Sequence, residues 1–351
     1  MSAITGPGLI LTLLLLTAAA PDCFSQVQWT QNKTIYGPDG RLDFYQVSDP
    51  VEKAALGSAV SMFRLNAGLL PDGGYYRLTG RTLGDTYSGL CPGEPFYDQP
   101  VGAVCSGTLI APDLVLTAGH CMAENPGLPD KCAATRFAFG FSLAAPGAPL
   151  RLIPAEEVYS CKEKVLYSYS GGRDYAVIRL DRPVSGHEPA ALQFSLPAPG
   201  APIFSIGGPY GLPLKVLEGA TVRRTYDDGQ FILTDIDSSG GNSGGGIFSA
   251  ESGRLMAVHV HSNDPDLIRI PLPAGHGLPP EDHRVRDGHC LTAARYGTAQ
   301  GNGKRAVLLK AVPGLAALLS GEKTVELDPE LSDFDPIPQA EQVFNAQRLF
   351  H

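Results

Sequence analysis

Three short segments of this chain carry side chains able to do nucleophilic chemistry. Val115-Leu-Thr-Ala-Gly-His-Cys121 delivers a histidine into a small-residue turn after an apolar run, with a cysteine directly behind it. Arg173-Asp-Tyr-Ala-Val-Ile-Arg-Leu180 opens with an aspartate and continues as a strand-like run. Gly240-Gly-Asn-Ser-Gly-Gly-Gly246 sets a serine among glycines. A serine hydroxyl is a weak nucleophile at neutral pH until an imidazole takes its proton, and that imidazole needs a carboxylate to hold its tautomer. His120, Asp174 and Ser243 supply base, orienting group and nucleophile. The glycines let the backbone fold tightly enough to aim N–H groups at a developing oxyanion, a role assigned to the N–H groups of Gly241 and Ser243. The chemistry is acyl transfer.

Such a constellation has to be held by rigid elements, and the pattern of the chain predicts strands. Glycine (41) and proline (30) are abundant while helical periodicity is scarce, which suits many short strands and turns. Ser58–Phe63 begins an alternating apolar pattern. Val101–Ile110 and Asp113–Leu116 read as strands leading to the histidine, and Phe137–Leu143, Val165–Tyr169 and Tyr175–Leu180 continue that set. Pro183–Gly200 reads as a proline-rich linker. Pro202–Ile206, Lys215–Val222, Gln230–Leu233, Gly246–Ser249 and Leu255–His261 form a second set. Leu267–Gly288 reads as a loop, Ala306–Val312 as a last strand and Gly314–Ser320 as a short closing helix.

At 351 residues the chain holds one large domain or two. A formal net charge of −9 without a basic cluster argues against nucleic acid as a partner. Leu9–Ala20 is an apolar run too short to span a bilayer, and residues 1–25 read as a secretory signal, with small side chains at Cys23 and Ser25 suiting cleavage after Ser25. The expectation is a secreted or periplasmic protein with no membrane contact after signal removal. Residues 26–56, which carry Trp29, read as a pro-segment or N-terminal arm, and residues 321–351 as an acidic, flexible tail. Loss of Cys23 leaves Cys91, Cys105, Cys121, Cys132, Cys161 and Cys290, and an even number in an exported chain implies disulfides.

Taken in order, the three reactive segments resemble those of trypsin/chymotrypsin-like serine proteases. Histidine, then aspartate, then serine is the order of the chymotrypsin family rather than of subtilisins or α/β-hydrolases. The resemblance spans residues 57–320 and implies an all-β fold of two six-stranded antiparallel barrels with a short C-terminal helix. It implies a secreted serine endopeptidase that acts on polypeptide as a monomer, with no cofactor and no metal. It also implies a Cys105–Cys121 bridge beside the catalytic histidine. Cys132–Cys161 and Cys91–Cys290 are then left by elimination and proximity, and the pairing of those four stays open.

Two residues depart from the trypsin pattern. Asn242 stands where trypsin-type zymogens carry an aspartate that pairs with a newly cleaved N-terminus, and an amide has no charge for that pair. Ser239 stands where trypsin has a pocket cysteine. Gly241-Asn-Ser-Gly244, Leu255-Met-Ala-Val-His-Val260, Gly207-Gly-Pro-Tyr-Gly-Leu-Pro213 and Tyr45-Gln-Val-Ser-Asp-Pro50 look more like the secreted bacterial glutamyl-endopeptidase branch.

The specificity residues point two ways. Asp237 lies where trypsin holds its pocket aspartate, and an open carboxylate there selects Arg or Lys. His259 matches the histidine by which glutamyl endopeptidases bind a substrate carboxylate. Acidic preference is favoured over a basic or a small pocket. His259, His261, His276, His283 and His289 invite a metal reading, because His-x-His on a strand puts both rings on one face. No thiolate or carboxylate joins them at a recognised spacing, so no metal is expected.

Two rival functions stand beside the peptidase. Gly241-Asn-Ser-Gly-Gly245 also fits the G-x-S-x-G elbow of a lipase or esterase, but that fold needs the serine first, the histidine last and alternating helices. A catalytically inactive homologue acting as a binding module usually lacks a member of the triad, and here all three are present.

Overall fold

Period-two alternation puts one side of each strand into a core, and short glycine-bearing turns reverse the chain between strands. In the computed structural model this builds two barrels. The structure describes residues 34–124, 130–170, 172–226, 228–262, 264–272 and 288–321. The signal segment, residues 26–33 with Trp29, His276, His283 and the tail beyond Gly321 lie outside the described residues.

Described from its first residue, the chain lays down β1 (Thr34–Tyr36), β2 (Arg41–Asp43) and helix α1 (Pro50–Leu56). Asp49 caps that helix by accepting the N–H groups of Val51 and Glu52, and Pro50 suits its first turn. β3 (Ala59–Arg64) follows, then a hairpin of β4 (Leu69–Asp72) and β5 (Tyr75–Leu78), and a single helical turn α2 (Leu83–Thr86). β6 (Cys105–Ala111), β7 (Leu114–Thr117), β8 (Thr135–Ala138), β9 (Leu152–Pro154), β10 (Val158–Ser170) and β11 (Arg173–Leu180) complete the first half. The order β10-β11-β7-β6-β3-β8 closes on itself as the first barrel.

The second half holds β12 (Pro202–Gly207), β13 (Lys215–Thr225), β14 (Phe231–Thr234), β15 (Gly246–Ser249), β16 (Leu255–Ser262), β17 (Leu267–Pro271), β18 (His289–Tyr296) and β19 (Lys304–Leu308). β12-β15-β16-β19-β14-β13 closes through β12–β13 pairing as the second barrel, and helix α3 (Leu315–Ser320) ends the described chain. One apolar core runs between the barrels through Val60, Leu109, Val115, Phe204, Ile206, Phe248 and Val258. Each such side chain stabilises the fold by about 1.5–3 kcal/mol when removed from water. A smaller core of Ile203, Leu217, Ile232, Met256 and Ala306 belongs to the second barrel alone.

Three sequence expectations change. Leu267–Gly288 is not loop throughout: Leu267–Pro271 pairs with β18, which in turn pairs in parallel with β1. Arg269 and Pro271 interrupt the apolar pattern there, and the backbone pairs nonetheless. Phe137–Leu143 stops as a strand at Ala138, because Phe139 and Phe141 turn into two different cores. The arm, within its described residues, is woven into the second barrel: β2 adds to the edge of β13, with Asp43 opposite Lys215. The buried Lys215 ammonium donates to Asp43 and, at 2.7 Å, to Gln99 Oε1, whose amide donates at 2.8 Å to the other oxygen of Asp43. This closed triangle satisfies a charge that would otherwise be costly to bury.

Three cysteine pairs lie at bonding distance: Cys91–Cys290, Cys105–Cys121 and Cys132–Cys161.

Candidate active site

His120 sits in a short 3-10 turn, Gly119–Met122, that leaves the end of β7. β7 pairs with β11 so that Ala176 faces Thr117, which brings Asp174, two residues before Ala176, beside that turn. Asp174 clasps the histidine twice. Its Oδ1 accepts the backbone N–H of His120 at 2.9 Å, and its Oδ2 lies 2.8 Å from Nδ1. A carboxylate acceptor requires Nδ1 to be the donor, so a neutral imidazole keeps Nε2 unprotonated and ready to accept. Gly119 is required for this approach, since a Cβ there would lie 2.1 Å from the carbonyl oxygen of Ser168.

The serine loop is fixed to both barrels. Ser243 donates nothing to β6 but accepts the N–H of Ser106 through its carbonyl at 2.8 Å. On the other side the N–H of Gly244 donates to the His259 carbonyl at 2.8 Å, and the N–H of His259 donates to the Gly245 carbonyl at 2.9 Å. Cys121, next to His120, has its sulfur 3.7 Å from the Ser243 carbonyl oxygen. The bridge to Cys105 on β6 thus joins the histidine turn to the strand that holds the serine loop. The structure therefore brings His120, Asp174 and the Ser243 segment together, with Ser243 at 6% exposure and the His120 side chain partly open to solvent.

Gly241 has φ +92°, a left-handed conformation that glycine tolerates, and a Cβ there would meet the Gly208 carbonyl at 2.4 Å. Its carbonyl is turned away and accepts from Ser106 Oγ at 2.8 Å. Among the described residues the N–H groups of Gly241 and Ser243 have no acceptor, so both remain available to an oxyanion. The Asn242 side chain is fully buried, and neither of its polar atoms is hydrogen-bonded among the described residues.

Asp237 is not an open carboxylate. It is 4% exposed, and each of its oxygens accepts a backbone N–H from the N-terminal arm: Tyr36 at 2.7 Å and Gly40 at 2.8 Å. Burial pushes its carboxyl up to about 6, against the pull of those two N–H groups. A folded-state value above the ordinary 3.8 means that the fold gains from protonation, and the gain is lost as pH rises through about 6. Asp237→Asn is therefore expected to flatten that dependence. Between pH 4.5 and 7.5 the variant should gain about 2 kcal/mol relative to the wild type, read from denaturant unfolding at both pH values. A constant difference between the two proteins would reject this account of Asp237.

His259 is fully buried on β16, its Nε2 2.9 Å from the Ser238 hydroxyl. The expectation that His259 and His261 share one face fails. A bulge at Val260 pairs His259 with Ala306 but His261 with Arg305, and the inserted residue turns His261 out to solvent. The same bulge carries Ser262 back to the face of His259, where it is buried opposite Lys304. Ser106, Ser238, Ser262, Lys304 and the arm residues Tyr36 and Gly40 escaped the sequence reading. Only Lys304 left a signal there, as a charge at the head of an apolar strand.

Residues 105–258 match the family model of the trypsin-like peptidase domain. No curated protein matches the sequence. Among solved structures, the chain is similar to a Glu endopeptidase in complex with MPD, at 20% identity over 64% of this chain and 86% of that one, TM-score 0.40. It is also similar to Rv3671c from M. tuberculosis H37Rv in an inactive form, at 14% identity over 84% of this chain and 99% of that one, TM-score 0.41. A third is the serine endoprotease from Yersinia pestis, at 14% identity over 71% of this chain and 63% of that one, TM-score 0.38.

Proposed function

We propose, from the match of residues 105–258 to the trypsin-like peptidase domain, that the protein is a secreted serine endopeptidase that prefers an acidic residue before the scissile bond. The observation that carries the reading is the double clasp of Asp174 on His120 beside the Ser243 loop. Ser243 Oγ attacks the peptide carbonyl carbon while His120 Nε2 takes its proton. The carbonyl oxygen becomes an oxyanion that the N–H groups of Gly241 and Ser243 stabilise. The C–N bond then breaks, and His120 returns the proton to the leaving amine. Water, deprotonated by the same imidazole, attacks the acyl-enzyme, and the proton passes back to Ser243 as the acid leaves. Asp174 stabilises the imidazolium at both stages and stays ionised.

The acidic preference draws support from the pocket residues. Asp237 is taken up by the arm, which removes the feature that favours Arg or Lys. His259, hydrogen-bonded to Ser238, offers a protonatable donor on the pocket wall, and a bound carboxylate favours its protonation. A polypeptide substrate and export fit a chain with three cysteine pairs.

Two measurements test the reading. A fluorophosphonate probe should label Ser243, and an unlabelled protein would be a binding module instead. Cleavage of a peptide library should favour Glu before the scissile bond, and His259→Ala should lower kcat/KM for Glu substrates about 30-fold more than for Gln substrates, the scale of one charge-assisted hydrogen bond. Efficient cleavage after Arg, abolished by Asp237→Ser and untouched by His259→Ala, would replace acidic with basic specificity.

A further inference from the structure

The strand paired with that of His259 carries a cation that the family resemblance did not point to. Lys304 begins β19 and is fully buried, a rare state for a lysine. Its ammonium donates to Ser262 Oγ at 2.9 Å. Paired residues of antiparallel strands share a face, so His259 lies with Ala306 and Ser262 with Lys304. Ala306 and Lys304 are two apart and point the same way. The bulge at Val260 therefore sets an imidazole, a hydroxyl and an ammonium on one face, with the Ser238 hydroxyl bonded to the imidazole. Each of these groups carries or can carry a hydrogen able to bond a carboxylate oxygen.

Tyr36 of the N-terminal arm engages two aspartates, of which Asp264 feels the charge of Lys304. The Tyr36 backbone N–H donates to Asp237 and its hydroxyl to Asp264. Gly40 supplies the second N–H to Asp237. Asn302 gives Asp264 its backbone N–H at 2.7 Å and its side-chain amide at 2.8 Å, and the N–H of Gly303 adds a bond at 3.2 Å. Burial works against the Asp264 charge, but the Tyr36 and Asn302 bonds and the charge of Lys304 hold its carboxyl below the usual range. The Tyr36 ring itself lies 5.4 Å from the Lys304 ammonium. Both carboxylates thus spend their oxygens on fixed donors, while the arm packs its aromatic face against the lysine.

We propose that Lys304 is a specificity-determining residue, whose ammonium, held by Ser262 beside His259, receives the carboxylate of the substrate residue before the scissile bond, while Tyr36 keeps Asp237 and Asp264 from opposing it. The proposal rests on the acidic preference given above and deepens it. A carboxylate reaching a desolvated ammonium forms a strong charge-assisted pair, whereas an amide of the same shape meets the same wall without charge.

The test compares kcat/KM of the full chain on matched peptides with Glu or Gln before the scissile bond. Lys304→Met is expected to cut the Glu/Gln ratio about 100-fold, and Lys304→Arg to restore a tenfold share of it. Tyr36→Phe keeps the ring and the backbone N–H and removes the hydroxyl, with its bond to Asp264 and the one it accepts from the Gly303 N–H at 3.1 Å, and it should lower the ratio about tenfold. Ser262→Ala, which frees the ammonium from its anchor, should do the same and stands in if Lys304→Met does not fold. A wild-type ratio in folded Lys304→Met, or in Ser262→Ala and Tyr36→Phe together, would overturn the proposal alone. A wild-type enzyme with no preference for Glu over Gln would overturn the acidic reading and the proposal with it.

Discussion

Replacing Ser243 by alanine is expected to lower kcat by about 10⁴- to 10⁶-fold, the scale on which a triad member acts. Ser243 sits in a loop tied to β6 through Ser106 and to β16 through His259, so loss of one hydroxyl leaves the backbone in place. Residual activity then comes from the Gly241 and Ser243 N–H groups alone. His120→Ala should cost about as much, because the hydroxyl without its base is again a weak nucleophile. The double variant should be little worse than either single one, since the two groups act as a unit. Steady-state kinetics on a chromogenic peptide and titration with a fluorophosphonate measure this. Losses that multiply, or a Ser243→Ala protein that keeps more than about a hundredth of the wild-type kcat, would remove Ser243 from the nucleophile's role.

Asp174→Asn is expected to lower kcat about 10⁴-fold at neutral pH while leaving the fold in place. The carboxylate now accepts two donors, the backbone N–H of His120 and Nδ1–H of its ring. An amide offers one oxygen and one NH₂. Whichever way it turns, a donor faces a donor, or the ring changes tautomer and carries its proton on Nε2, where it cannot accept from Ser243. The imidazolium also loses the charge that stabilises it. Circular dichroism and the unfolding midpoint should stay close to the wild type, because the isosteric amide fills the same space. A variant within tenfold of wild-type kcat would mean that another group orients His120.

Much of the site was legible because its chemistry needs particular residue types in particular local settings. A histidine after an apolar run, an aspartate at a strand start and a serine among glycines each mark a strand end or turn, and each can be read from a few neighbours. The strands could be read for the same reason, since alternation is a property of adjacent residues. Local pattern and strand pairing part at two places. Phe139 and Phe141 continue an apolar run after the strand has ended, and Ile268 and Ile270 lie in a strand whose other members look like loop.

The sequence by itself determined the His120, Asp174 and Ser243 segments, their order, the cysteines open to pairing and the all-β class, because those follow from residue type and short-range periodicity. Only the tertiary structure decided what the charged residues around the pocket do. Asp237 reads as a specificity residue until Tyr36, 201 positions away, is seen to donate to it. His261 shares the face of His259 by simple alternation, and a single inserted residue at Val260 sends it to solvent and brings Ser262 in. The meaning of a buried charge depends on which donors and acceptors close around it. Those partners come from β1, β16 and β19 and the turn before β2, elements that meet only through long-range pairing, and no local pattern encodes it.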